Sequence, residues 1–298
     1  MKNLTIYRSQ KGWIPKLELL KEHISIPGNV GYAWKELRNG NPFIQVGNNI
    51  MLVCEKQEKL LPASVVNRDL AVRCENLEKF QGYKVGKKKK RDLKEQVIAE
   101  LYAKAFVTSK LINVWINTEN DLLCIETTSI AIAEDVCMLI FKHLGHNGGR
   151  PLLFAKPIEW LMRQLILSDD SSVDNFSLGR SCVLQDPDSD SRRITYKNES
   201  LDTGIVSDYV VLRGKRPVKL EIVLGADECS FTIDKNSVIS KITLQDIVED
   251  RSEFDTDDDY FDNELTIRSG QCLRIINELI QTLGEKKLLQ NDDREVAA

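Results

Sequence analysis

A run of five consecutive basic residues, Lys87, Lys88, Lys89, Lys90 and Arg91, is the stretch of this sequence most suited to binding chemistry. Lysine and arginine neutralise phosphate groups, so a surface that gathers several of them is a candidate for nucleic-acid contact. Taken alone, the run favours a solvated turn, and phosphate contact requires further basic residues on the same face. A nuclear-targeting signal fits poorly because the run lies between two predicted helices rather than in a tail.

Further basic residues are available for such a face. The candidates are Lys59, Lys104 and Lys110, followed by Arg192, Arg193 and Lys197, and then by Arg213, Lys215, Arg216 and Lys219. Aromatic residues are rare among them. This disfavours a stacking surface for single strands and favours contact with the backbone of a duplex.

The charges are unevenly distributed along a chain of 298 residues whose formal net charge is −4. Residues 79–110 contain ten basic and three acidic residues, a balance of 10 − 3 = +7. Residues 246–264 contain one basic and ten acidic residues, a balance of 1 − 10 = −9. The acidic total therefore does not exclude nucleic-acid binding, since the local field depends on where the charges lie.

The acidic segment allows two other interpretations. Asp255, Asp257 and Asp259 match the first three alternating ligands of an EF-hand loop, but Tyr260 and Thr266 stand where that loop needs Gly and Glu. A solvated acidic surface is therefore favoured. Two alternatives stay open: a surface that binds a basic protein partner, and a metal-dependent nuclease that uses the three aspartates.

Other catalytic and cofactor signals are weak. His143 and His146 lie at a predicted helix end without the glutamate of a zinc-protease motif. The sequence has no P-loop and no convincing pair of nucleophile and base, so we expect no enzymatic activity, no cofactor and no metal. The seven scattered cysteines, the lack of a signal-peptide pattern and the absence of a long apolar run predict a cytoplasmic protein without contact to a membrane.

The elements that would position these residues follow from the apolar periodicity. A helix is predicted from near Pro62 to near Gly82 and a second from near Asp92, which places the lysine run in the turn between them. Helices are also predicted at 16–24, 130–144, 157–167 and towards Leu283. Strands are predicted at 3–8, 43–58 (two, around a turn), 111–117, 121–126, 175–179, 192–197, 209–214, 217–224, 229–234, 238–244 and 264–270. The acidic segment 246–264 is predicted to be irregular or a poor helix.

Several blocks of the sequence resemble one bacterial family in the same order. They are KNLTIYRS at the start, EKQEKLLPASVVNRDL at 55–70, RDLKEQVIAELYAKAF at 91–106, the segment 114–145, and FDNELTIRSGQCLRIINELIQTLG at 261–284. Together they resemble RdgC, the recombination-associated family. That resemblance implies a homodimer, joined head to head and tail to tail into a ring with a basic hole that duplex DNA threads. It also implies binding without sequence preference, obstruction of RecA filaments and no enzymatic activity.

The resemblance nominates individual residues. A family Pro-Arg-Ala-Phe stretch matches Ala103 to Phe106, with Ala103 in place of the proline. Lys104 would then face DNA, and Phe106 would contribute to the contact between subunits. A second basic position of the family falls at Lys197 and Asn198. Residues 62–106 would form the helical tip of the subunit.

These observations predict an α+β protein with mixed antiparallel sheets and a protruding helical hairpin, forming half of a ring-shaped homodimer. The expected division is a central region of residues 1–61 with 107–170, a tip at 62–106 and a strand-rich region at 171–298. We expect the partner to be double-stranded DNA, with single-stranded DNA less favoured, in the nucleoid. The predicted DNA-contacting residues are Lys59, Lys87–Arg91, Lys104, Lys197, Asn198, Arg213, Lys215, Arg216 and Lys219.

Overall fold

A computed structural model describes residues 1–145, 149–168, 170–201, 204–225, 229–244 and 256–286. These residues form two antiparallel sheets with helices packed between and beside them. The first sheet has the strand order β2-β4-β5-β6-β1-β7, with β3 paired to β4. Its strands are β1 (Thr5–Arg8), β2 (Gly31–Trp34), β3 (Phe43–Val46), β4 (Asn49–Leu60), β5 (Phe106–Asn117), β6 (Leu122–Ile125) and β7 (Arg150–Pro151).

The second sheet is built from the later part of the chain in the order β10-β9-β11-β12-β13, with β8 paired to β9. Its strands are β8 (Ser172–Val173), β9 (Phe176–Asp186), β10 (Ser189–Tyr196), β11 (Arg216–Leu224), β12 (Cys229–Asp234) and β13 (Ile239–Leu244). Backbone hydrogen bonds between Leu4 and Ile239 link the start of the chain to this sheet. The helices are α1 (Ala63–Gln81), α2 (Lys87–Lys104), α3 (Ile130–Leu144), α4 (Ile158–Leu167), α5 (Ile205–Val211) and α6 (Asp257–Leu283), with a 3-10 helix at Leu17–His23.

Both faces of the middle of the first sheet, at β1, β6 and the adjoining parts of β4 and β5, are buried, and this explains the near-continuous apolar residues there. In β6, Leu122 and Cys124 point into a core shared with α4, α6 and the second sheet, while Leu123 and Ile125 point into a core shared with α3 and the 3-10 helix. Alternate side chains of a strand face opposite sides, so such a strand needs apolar residues at every position. The two cores therefore fix β4 and β5, the long strands that lead to α1 and α2.

The α1–α2 pair is held by few buried side chains. Val66 and Leu70 of α1 and Val97 of α2 are buried, whereas most other positions of these helices face solvent. Arg73 of α1 adds a bidentate contact to Glu100 of α2, with an Nη2–Oε2 distance of 2.7 Å. This hydrogen bond from Arg73 keeps the pKa of Glu100 below its ordinary value. The two helices pack on each other through a narrow apolar seam.

Most predicted elements occur close to their expected positions, and the α+β class with antiparallel sheets is confirmed. The helix predicted from near Pro62 to Gly82 is α1, with Gly82 at φ 77° as its left-handed end. The turns at Gly47 and at Asn120–Asp121 join the expected strands, and Asp121 has φ 50°. The protruding hairpin and the ring-shaped dimer stay predictions.

Three predictions of local structure were wrong. The second helix begins at Lys87 rather than near Asp92, so the lysine run is the first turn of α2 and not a connecting turn. Residues 209–214 were predicted as a strand but belong largely to α5 and its exit. Residues 264–270 were predicted as a strand but lie inside α6. In α6 the buried residues Leu265, Ser269 and Cys272 follow helical spacing, which overrides the local strand preference of Thr266 and Ile267.

The cysteines of the structure are free thiols, and all but Cys74 are buried. Burial raises the pKa of Cys54, Cys137, Cys182 and Cys272 to about 12, so these thiols stay protonated and behave as small apolar side chains. Among the described residues, none of the helices combines the length and the apolar character that a membrane crossing requires.

Candidate nucleic-acid interface

Three strands of the second sheet place two arginines side by side on its outward face. Arg193 of β10 and Arg216 of β11 both pair in register with Gln185 of β9, one on each side. Partners in register point to the same face, so both guanidinium groups leave the sheet in the same direction. With strands about 4.8 Å apart, the two Cα atoms are about 10 Å apart. Both arginines are exposed.

The same face carries two more predicted residues. Lys219 of β11 pairs with Val183 of β9, two positions along β9 from Gln185, and Val183 pairs with Thr195 of β10. Lys197 lies two residues beyond Thr195, just after β10, and is exposed. We call Arg193, Lys197, Arg216 and Lys219 the basic stripe. None of the four forms an ion pair with another residue of the described structure, so their charges stay available to an anion.

Gln185 lies on β9, between the two arginines, and is 7% exposed. Its Nε2 donates to the side chain of Asp190, the second residue of β10, and its Oε1 accepts no hydrogen bond from any described residue. Arg193 donates from Nε to the backbone oxygen of Asp190, 2.9 Å away. Asp190, near the start of β10, thus contacts both the amide of Gln185 and the Nε of Arg193.

Two predicted residues of this region, Lys215 and Arg213, lie off the stripe, and so does the candidate Arg192. The side chain of Lys215 is 13% exposed, and its Nζ lies 3.5 Å from the carboxylate of Asp186. Arg192 approaches the same carboxylate to 3.8 Å. The backbone N–H of Asp188 is the largest of the effects that lower the pKa of Asp186, and Lys215 and Arg192 reinforce it. Arg213 instead stacks over the ring of Tyr209 at 4.9 Å.

The third predicted residue off the stripe, Asn198, has a positive φ of 55° and directly follows Lys197 in the chain. Its backbone N–H donates to Ser181 Oγ at 3.4 Å, and its carbonyl oxygen accepts from Arg180 at 3.3 Å. Asparagine tolerates this left-handed backbone better than most residues. The contacts assign Asn198 a role in positioning Lys197.

The C-terminal end of α2 gathers the other group of predicted residues. Lys59 Nζ donates to the carbonyl oxygen of Tyr102 at 2.8 Å and lies 4.9 Å from the centre of its ring. Lys104, the last residue of α2, is exposed and lies two residues after Tyr102. Carbonyl groups at the end of a helix lack partners within it, and the helix dipole favours cations there. The fold therefore brings Lys59 and Lys104 to one end of α2.

An exposed apolar pair lies beside this end. Phe106, the first residue of β5, is 84% exposed and pairs in register with Leu60 of β4, which is 55% exposed. Phe106 was nominated from the resemblance, but Leu60 was not. Only the register of β4 with β5 reveals it, since 45 residues of the chain separate the two. Such a pair of exposed large apolar side chains is suited to contact with another surface.

The lysine run lies at the opposite end of α2. Lys87 and Lys104 are 17 residues apart in the helix, which corresponds to about 25 Å at 1.5 Å per residue. Lys87 to Lys90 are all exposed. Arg91 has only a 3.9 Å contact with Glu95. The structure thus places the lysine run and Lys104 at opposite ends of α2, although the sequence analysis assigned both to one helical tip.

The acidic segment is only partly described. Asp255 lies outside the described residues, while Asp257 and Asp259 are in the first turn of α6, after the N-cap residue Thr256. Arg38 forms ion pairs with Asp258 and Asp262, both at 2.9 Å. The part of the chain that the structure describes contains no group of three His, Cys, Asp or Glu side chains arranged to hold a metal ion. His143 accepts a hydrogen bond from Trp34, and His146 lies outside the described residues.

The described residues form a mixed α+β protein with basic side chains on the outward face of the second sheet and on α2, several of them without an ion pair among the described residues. A family model described as "Putative exonuclease, RdgC" matches residues 1–286, and the chain belongs to the RdgC family. A relative from Paraburkholderia phymatum named recombination-associated protein RdgC is 29% identical, over 95% of this chain and 96% of its own. Relatives of the same name from Cupriavidus pinatubonensis and Bordetella pertussis are each 28% identical, over 96% of this chain and 98% of their own. The family membership associates the chain with recombination.

Proposed function

We propose that this protein binds double-stranded DNA without sequence preference, as a ring-shaped homodimer that modulates RecA-dependent homologous recombination. The observation that carries the proposal is the basic stripe: Arg193, Lys197, Arg216 and Lys219 share one face and form no ion pairs within the described structure. The recombination-associated name of the relatives supports DNA as the anion. The site of action would be the nucleoid.

The proposed binding mechanism is electrostatic. Each lysine or arginine of the stripe neutralises a phosphate and releases condensed counterions, so affinity falls steeply as salt rises. Arginine adds a planar fork of donors that matches the oxygen atoms of a phosphate. Contacts of this kind hold the duplex in register but carry no base information, which accounts for binding that is indifferent to sequence.

The stripe is tested by charge reversal. Arg193→Glu with Arg216→Glu should weaken duplex binding and make the plot of log K against log salt shallower by about 1.8, or about 0.9 for each lost phosphate contact. Lys11→Glu with Lys16→Glu is the matched control, since it changes the net charge equally at exposed positions elsewhere. Equal losses in the two variants would assign the effect to net charge and refute a role of the stripe.

The proposed homodimer uses the exposed pair Leu60 and Phe106. A ring made from two copies needs self-complementary contacts about a two-fold axis, and an exposed apolar pair at the end of a helical hairpin suits one of them. Phe106→Ala should shift the dimer–monomer equilibrium towards monomer in sedimentation at low protein concentration. Phe80→Ala, which removes a ring that is 90% exposed on α1, is the control.

The effect on recombination is proposed to follow from DNA occupancy rather than from catalysis. Wild-type protein should inhibit RecA-promoted strand exchange, and the variant with both stripe arginines reversed should inhibit it less in proportion to its weaker binding. Inhibition that is unchanged in this variant would indicate direct contact with RecA instead.

A nuclease is the second candidate, because the description of the family model names an exonuclease. Its test is incubation of end-labelled linear duplex with Mg²⁺ or Mn²⁺, using wild-type protein and Asp257→Asn with Asp259→Asn. Shortened DNA with the wild type and intact DNA with the variant would establish the nuclease. Intact DNA with both would support the non-enzymatic proposal.

A further inference from the structure

Two aromatic side chains are exposed where α1 turns into α2. Phe80, in the last turn of α1, is 90% exposed, which is the highest value among the large apolar side chains of the described residues. Tyr83, three residues later, is 69% exposed. Rings that remain in water add almost nothing to the apolar burial that stabilises a fold. The stability of the helical pair therefore does not explain why two aromatic residues lie at this turn.

The turn that carries the rings, residues 82–86, has a defined backbone. Gly82 has φ 77°, and its N–H donates to the carbonyl oxygen of Glu78 at 2.9 Å. The N–H of Val85 donates to Oε1 of Glu78, and Nε2 of Gln81 donates to the carbonyl oxygen of Tyr83, both at 2.9 Å. These bonds tie the turn to the last turn of α1. A ligand that binds the rings therefore does not have to order this backbone first, which lowers the entropic cost of binding.

The rings are surrounded in the chain by positive charge. Residues 79–91 contain seven basic residues and no acidic residue. Lys84, directly after Tyr83, and the lysines 87–90 are exposed and form no ion pair with another described residue. An extended chain spans about 3.3–3.6 Å per residue, so Lys87 lies within about 14 Å of Tyr83 along the backbone. One ligand can therefore contact the rings and the lysines together.

A surface of this kind suits a strand of DNA whose bases are unpaired. Aromatic side chains stack on free base faces, while neighbouring cations follow the phosphates of the same strand. In a duplex the bases stack on each other, so the rings would gain nothing from it. An anionic membrane is less well matched, because membrane-bound helices present a continuous apolar face and the first turn of α2 is all lysine. The recombination-associated name of the relatives also favours DNA.

We propose that the turn between α1 and α2 is a second DNA site, in which unpaired bases stack on Phe80 and Tyr83. Lys84 and the lysine run contact the phosphates of that strand. The inference rests on the proposed function, since both need DNA as the ligand, but the residues are different. The basic stripe belongs to the second sheet and contacts phosphates alone, whereas this turn distinguishes single-stranded ends, bubbles and junctions from uninterrupted duplex.

The test compares three labelled ligands of equal length by fluorescence anisotropy with the full-length protein: oligothymidylate, an abasic strand that has the same phosphates without bases, and a duplex. Wild-type protein should prefer oligothymidylate to the abasic strand. Phe80→Ala with Tyr83→Ala should weaken oligothymidylate binding at least about fivefold and abolish that preference. Phe80→Leu with Tyr83→Leu keeps apolar side chains without ring faces and should lose the preference as well.

The matched control is Met138→Ala with Phe141→Ala, which removes two exposed apolar side chains from α3 and should bind all three ligands as the wild type does. Unchanged oligothymidylate binding in the alanine variant, or an equal loss for oligothymidylate and the abasic strand, would refute stacking on the rings. A preference that survives in the leucine variant would do the same. Binding to vesicles of anionic lipid that is lost in the alanine variant, with oligothymidylate binding retained, would assign the rings to a membrane.

Duplex binding separates a failure of this inference from a failure of the proposed function. Wild-type protein that binds the duplex but shows no preference for oligothymidylate over the abasic strand would overturn the second site alone. Wild-type protein that binds none of the three ligands at low salt would overturn both.

Discussion

The two ends of α2 carry lysines in opposite electrostatic settings. At the N-terminal end, Lys87 to Lys90 occupy the first turn, which contains no acidic residue. At the C-terminal end, Lys59 donates to the carbonyl oxygen of Tyr102, and Lys104 ends the helix. A helix dipole repels cations at its N-terminus and attracts them at its C-terminus, each by about 0.3–1 kcal/mol at low salt.

The stability of the fold explains the lysines at the C-terminal end of α2 but not those at its N-terminal end. Lys59 and Lys104 stabilise the end of α2, so their presence would be expected even without an anionic partner. The lysine run destabilises its helix end, and Lys87 with Arg91 and Lys90 with Lys94 add like-charge pairs at i, i+4. The stability of the fold therefore does not explain the lysine run, whereas binding to a polyanionic partner would explain it. The lysine run is therefore a stronger indication of an anionic partner than Lys104 is.

The largest effect is expected when the whole run is neutralised. Replacing Lys87, Lys88, Lys89 and Lys90 by glutamine should raise the thermal stability of the protein, since unfavourable charges leave the helix N-terminus. The same variant should bind duplex DNA more weakly. The slope of log K against log salt should become shallower by up to about 3.6 if all four lysines contact phosphates. Thermal unfolding and mobility shifts over a salt series measure the two effects.

The control for this variant neutralises Lys11, Lys16, Lys21 and Lys35, four exposed lysines outside α2. It changes the net charge by the same amount. If it weakens DNA binding as much as the lysine-run variant does, overall charge rather than the position of the run governs affinity.

A smaller effect of opposite sign on stability is expected at the other end of α2. Lys59→Met retains an apolar side chain beside Tyr102 but removes the hydrogen bond to its carbonyl oxygen, which should lower the free energy of unfolding by about 1 kcal/mol. The salt slope of DNA binding should change by at most about 0.9. Urea titration and the mobility shift measure these changes. A variant that gains stability would contradict the assignment of Lys59 to the helix end.

Local patterns in the sequence predicted the elements but not their pairing. The helix over 62–82 and the strands of the first sheet follow from apolar spacing and from turn residues such as Gly47 and Asp121. The start of α2 was placed five residues too late, because a run of lysines lacks a capping residue and an apolar stripe. Gly86 precedes the helix without a side-chain cap.

The basic stripe could be assembled only with the register of the sheet. Arg193, Arg216 and Lys219 come from separate strands, and a bulge near Val218 sets which side of β11 faces outward. A shift by one residue would reverse every side chain. Charge counting alone therefore placed Lys215 with Arg216, whereas the structure pairs Lys215 with Asp186 and leaves Arg216 exposed.

The C-terminal end of α3 differs from both ends of α2 because its titratable residue, His143, is partly buried. His143 lies in the last turn of α3, where the dipole would favour a cation, but desolvation lowers its pKa from 6.5 to about 4, and His23 and Lys142 add to this shift. Its ring stacks on His23 at 3.7 Å, and its Nδ1 accepts a hydrogen bond from Trp34 at 2.9 Å. Burial thus outweighs the dipole here, unlike at the exposed end of α2.

The sign of the resulting pH dependence follows from proton binding. Between pH 6.5 and 4 the unfolded chain protonates this histidine and the folded chain does not, so the contribution of His143 to stability is lost as the pH falls through this window. Urea midpoints of the wild type should fall more steeply between pH 6.5 and 4 than those of His143→Gln, whose amide can still accept from Trp34. Parallel curves for the two proteins would show that the histidine is protonated in the folded state, and that the helix end, rather than burial, controls it.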